Sequence, residues 1–176
     1  MKYALVYGLL SGLVTIAIIM TGLLLGPEAG FTHSLWFGYL VMLVALSFIF
    51  VGVKRYRDVE RGGVVKFLPA FGMGLAIAAV AGLAYVVVWE TYLASTGYRF
   101  MDEYIAAALR RSAAEGASAA AIAQQAADWE SMRESYSNPL FRISITFLEI
   151  FPVGLLVALV SAALLRNPKL LPAVAR

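Results

Sequence analysis

Four long apolar runs, separated by shorter polar stretches, organise this chain. Tyr3 to Leu25, Ser34 to Val53 and Phe67 to Trp89 hold no charged side chain, and Ile143 to Leu165 holds one, Glu149. At about 1.5 Å per residue such a run covers roughly 30 Å, the thickness of a bilayer's hydrocarbon core. None has the polar face that a water-exposed helix requires, and backbone groups in lipid must be satisfied within their own segment. The pattern predicts spans at about 3–25, 34–53, 67–92 and 141–165 within a single membrane domain, 1–176. The first run is too long for the apolar core of a cleaved signal peptide, and no A-x-A site follows it.

The polar stretch 98–137 carries a different periodicity. Met101, Tyr104, Ile105 and Leu109 recur at helical spacing, as do Ile122, Trp129, Met132 and Tyr136. Gly116 separates the two sets, Ser118 is placed to cap the second helix, and Asn138-Pro139 ends it. The expected fold is therefore all-α: an integral membrane four-helix bundle with an extracytoplasmic helical hairpin between the third and fourth spans.

Charge sets the expected orientation. Lys2, then Lys54, Arg55, Arg57, Arg61 and Lys66, then Arg166, Lys169 and Arg176 fall on one side, while the Gly26 to His33 connection has Glu28 and no Lys or Arg. Positive residues in short connections stay cytoplasmic, so both termini are expected inside. In the long third connection arginines are balanced by acids, which suits an outward position. A composition of 61% hydrophobic and 14% charged residues agrees with the membrane class, and the absence of cysteine excludes disulfides and thiol chemistry. The net charge of +3 reflects topology, so no nucleic-acid partner is expected.

The run Lys54-Arg55-Tyr56-Arg57-Asp58, then Gly62-Gly63, Phe67, Ala70-Phe71 and Gly74, with Glu115-Gly116-Ala117-Ser118 ahead of an alanine- and glutamine-rich helix, resembles a bacterial four-transmembrane-helix family known as domain of unknown function 4199. The resemblance spans nearly the whole chain. It implies a multi-pass protein of the bacterial inner (cytoplasmic) membrane and carries no activity.

Several residues stand out as candidates. Small residues recur at i, i+4 in Ala4, Gly8 and Gly12, in Ala70, Gly74, Ala78 and Gly82, and in Gly154, Ala158 and Ala162. Such stripes let membrane helices approach closely, either inside the bundle or across a homodimer seam. Lys54, Arg55, Arg57, Arg61 and Lys66 lie within 13 positions, suited to anionic lipid headgroups or to enforcing topology alone. His33 reads as an interfacial residue beside Trp36 and Tyr39; Glu28 is its only nearby acid, so no metal site is expected. Trp89, Tyr92 and Tyr98 read as an interfacial aromatic belt.

Glu149 is the most informative position. It lies inside the fourth apolar run, with Pro152 three residues on and Arg142 seven residues before it on the same helical face. An acid there needs a partner or water. One reading is an intramembrane proton or cation site with Arg142; the other is a neutral acid bridging helices through Ser144, Thr146, Thr21 or Tyr85. No cofactor and no catalytic constellation are expected. The preferred reading is a non-enzymatic accessory or interaction protein, in contact with membrane lipids and with a second copy or another membrane or periplasmic protein. The alternative is a small proton- or cation-coupled transporter or channel using Glu149.

Overall fold

The computed structural model describes residues 1–25 and 35–173. The Gly26 to His33 connection, with Glu28 and His33, and the terminal Arg176 lie outside the described residues, as does the side-chain setting of Trp36. Among the described residues every regular element is an α-helix: α1 Lys2–Leu25, α2 Leu35–Glu60, α3 Phe67–Ser95, α4 Phe100–Ala114, α5 Ala119–Ser137 and α6 Pro139–Leu165. Three of them are long and apolar enough to cross a membrane, at Tyr39–Glu60, Phe67–Ser95 and Pro139–Leu165, and Lys2–Ile18 of α1 is a shorter apolar stretch. They mark a membrane protein. The helices outrun the apolar runs: α2 continues to Glu60 and α3 to Ser95, because the polar residues at their ends also favour helix.

Two compact units divide the chain, Met1–Val87 together with the segment from Phe147 onward, and Val88–Thr146. In the first, small residues set the spacing of neighbouring helices. A Cβ added at Gly8 would come within 2.6 Å of Val80, and one at Gly12 within 2.8 Å of Ala84, so α1 lies against α3. Likewise a Cβ at Gly74 would meet Ala158 at 2.8 Å, one at Gly154 would meet Ala78 at 2.9 Å, and one at Gly82 would meet Phe147 at 2.7 Å. Gly8, Gly12, Gly74, Ala78, Gly82, Gly154 and Ala158 thus lie at close approaches between helices of the same chain. Buried hydroxyls are satisfied locally, Ser11 donating to the Ala45 carbonyl at 2.8 Å and Thr15 to the Ser11 carbonyl at 2.9 Å, as an apolar surrounding demands.

Several helix ends of the second unit are capped. At the end of α3 Gly97 takes φ +64, with the Tyr98 amide donating to the Leu93 carbonyl at 2.8 Å; at the end of α4 Gly116 takes φ +84, with the Ala117 amide donating to Ser112 at 3.0 Å. Both are left-handed stops that favour glycine. Ser118 then caps α5, its hydroxyl accepting from the Ala121 amide at 3.2 Å. The Asn138 side chain caps α6, accepting from the Leu140 amide at 2.9 Å, with Pro139 in the first helical position. Tyr104 of α4 meets Trp129 of α5 edge to face at 5.5 Å, although neither helix buries any residue.

Candidate functional site

The most organised polar site lies within the second unit. Glu90, late in α3, receives both arms of Arg142 from the first turn of α6: Nε at 2.6 Å to Oε1 and Nη2 at 2.7 Å to Oε2. The remaining nitrogen, Nη1, donates to the Tyr136 carbonyl at 3.1 Å, and Arg142 is only 5% exposed. A bidentate, water-poor pair of this kind is the strong form of the ionic hydrogen bond. Around it stand the Tyr98 ring, 4.8 Å from the guanidinium, and the Tyr136 ring at 5.8 Å. Tyr98 holds φ +58, a conformation that side chains rarely adopt, and its cation–π contact offsets that strain. Trp89 donates from its indole to the Tyr136 hydroxyl at 2.9 Å and meets Phe100 edge to face at 4.9 Å.

A cleft of about 640 Å³ opens beside this pair, lined by Leu93, Tyr98, Met101 and Tyr136 and rimmed by Asp102, Glu130, Arg133 and Glu134. Since Arg142 is spent on Glu90, the rim carries three acids against Arg133. That arginine is loosely held, 3.5 Å from Asp102 and 3.7 Å from Glu130, and more than half exposed. The cleft thus offers an apolar, aromatic floor and an acidic rim.

Arg142, which one reading of the sequence sets in a site with Glu149, has Glu90 as its carboxylate partner within the second unit. Glu149 is engaged by the Tyr85 hydroxyl, one of its expected partners, and is exposed as a residue on α6. Trp89 and Tyr98, expected in an interfacial belt, stand with Glu90 around Arg142 and Tyr136.

The basic stretch is also divided in its duties. Arg57 is 0% exposed and cannot meet a lipid headgroup: Nε donates to Asp58 at 2.7 Å, Nη1 to the Leu170 carbonyl at 2.9 Å, and Nη2 to the Leu171 carbonyl. Lys54 pairs with Asp58, and Arg61 donates to the Tyr56 hydroxyl at 2.7 Å. Arg55 and Lys66 remain exposed. At the same end of this unit Lys2 pairs with Glu60 at 2.7 Å, and the Tyr3 hydroxyl donates to Glu60 at 3.1 Å. Both the start of α1 and the segment after α6 therefore sit beside the end of α2.

No curated protein and no solved structure matches the chain significantly. The model of the family described as Protein of unknown function (DUF4199) matches residues 2–167, and the chain belongs to that family.

Proposed function

We propose that this chain is a non-enzymatic accessory or interaction subunit of the bacterial inner membrane. In this reading α1, α2, α3 and α6 form a four-helix transmembrane bundle with both termini in the cytoplasm, and α4 and α5 form an extracytoplasmic hairpin that receives a protein partner. The observation that carries it is the cleft in the second unit, whose apolar floor and acidic rim suit a partner segment that presents basic side chains beside an apolar one. The Glu90–Arg142 pair fixes the base of that cleft, which lowers the ordering cost of binding. The alternative, a proton- or cation-coupled transporter, rests on Glu149 alone and has less support, because that carboxyl meets Tyr85 on an exposed face.

Two measurements test this reading. With no native cysteine, single replacements report cleanly. Ser118→Cys is expected to react with a membrane-impermeant thiol reagent in spheroplasts and Arg61→Cys only after lysis; the reverse would overturn the orientation. A photo-crosslinking residue at Met101, on the cleft floor, is expected to capture a discrete protein in native membranes. The Glu130→Gln/Glu134→Gln pair should reduce that adduct about tenfold, while a crosslinker at exposed Arg110 should give none. Equal adducts at both positions, or none at Met101, would remove the interaction role.

A further inference from the structure

The outward face of α6 carries a feature that lipid cannot satisfy. Leu148 is 59% exposed, and Glu149 and Pro152 beside it are exposed too, in the middle of a helix long and apolar enough to span a membrane. Tyr85 donates to the Glu149 carboxyl, and Glu149 as a residue is exposed on α6. As the neutral acid, the form that hydrocarbon tolerates, it also owns an O–H donor. Pro152 has no amide, so the Leu148 carbonyl four residues earlier loses its helical donor. One face thus holds a donor and an acceptor one residue apart, beside Leu156 and Leu159, both exposed.

We infer that this face of α6 is a homodimer seam, in which Glu149 of each copy donates to the Leu148 carbonyl of the other. The occupant is a second copy because the patch is self-complementary: a two-fold axis beside residues 148–152 matches each donor to an acceptor and satisfies both pairs at once. Interhelical hydrogen bonds of this kind drive association where lipid offers no hydrophobic gain. The small-residue stripes are occupied by packing within the chain, so they do not compete for this role. The seam is separate from the cleft in the second unit and stands or falls without it.

The test uses the full-length chain in liposomes over a wide range of protein-to-lipid ratios, with subunit number read by single-molecule photobleaching. Wild type is expected to shift from one to two subunits as the ratio rises. Glu149→Gln keeps a donor and should dimerise within about twofold of wild type. Glu149→Leu should weaken the dimer roughly tenfold, consistent with two modest interhelical bonds. Pro152→Ala returns a helical donor to the Leu148 carbonyl and should weaken it as well, by a change that helix formation favours. Leu156→Cys should cross-link between copies on oxidation, whereas Leu13→Cys, 58% exposed on α1, should not. A monomer at every ratio, unaltered dimerisation in both Glu149→Leu and Pro152→Ala, or equal cross-linking at the two cysteines would overturn the seam.

Discussion

Glu90→Leu lowers the thermal midpoint of the protein by roughly 6–12 °C, the consequence of stranding a buried arginine at a cost of about 3 kcal/mol. Among the described residues Arg142 has no second carboxylate in place; its third contact is the neutral Tyr136 carbonyl. Arg142→Leu should cost a similar amount by leaving Glu90 without its two donors. The double variant Glu90→Leu/Arg142→Leu should recover much of the loss, because the pair's attraction is largely offset by what its desolvation costs. A double-mutant cycle on purified protein measures this, and additive losses would show that the two residues act independently. The cleft should loosen along with the pair, so the Met101 adduct is expected to fall in each single variant and to return in part in the double one.

Arg57→Ala releases the segment that follows α6. Its guanidinium is the donor to both the Leu170 and the Leu171 carbonyls. With it gone, those carbonyls turn to water and the segment exchanges between bound and open forms. Tryptic cleavage after Lys169 should accelerate between about 10-fold and 100-fold, the effect of losing roughly 1.4–3 kcal/mol of local stability. Arg57→Lys should fall between wild type and Ala, since a single ammonium cannot bridge two carbonyls and Asp58 with the geometry of a planar fork. Unchanged cleavage in Arg57→Ala would mean that packing alone holds the segment, through contacts such as Ala173 near Gly63.

How far the sequence could be read depended on how local each signal was. Apolar runs, the glycine at 116, the Ser118 cap and the Asn138-Pro139 start of α6 are all encoded within a few residues, and the helices appear where those signals lie. The ends of α2 and α3 ran further than expected, because charged residues continue a helix without changing its apolar count. Glu90 and Arg142 stand 52 positions apart, and each has an ordinary explanation at a membrane surface. Their pairing left one trace: Glu90 is the single charge of α3 and Arg142 the first charge of α6, the two helices that flank the polar insert. The burial of Arg57 is hidden for a similar reason, since a basic cluster in a short connection looks solvated until the chain that covers it is known. Glu149 was legible as an oddity, and Tyr85 as its partner, but which way α6 turned that carboxyl depended on packing that the small-residue stripes constrain only in outline.

The Arg57 clasp also implies an order of events in biogenesis. Leu170 follows Arg57 by 113 positions, so at typical synthesis rates of about 5–20 residues per second its carbonyl emerges on the order of ten seconds after the arginine. Throughout that interval Arg57 is an uncovered cation among the four other basic residues of its stretch, able, in the proposed topology, to hold the connection on one side while later helices insert. Only after α6 is in place do its hydrogens find the carbonyls that remove it from water. One side chain thereby serves as a transient signal during translation and as a permanent latch afterwards.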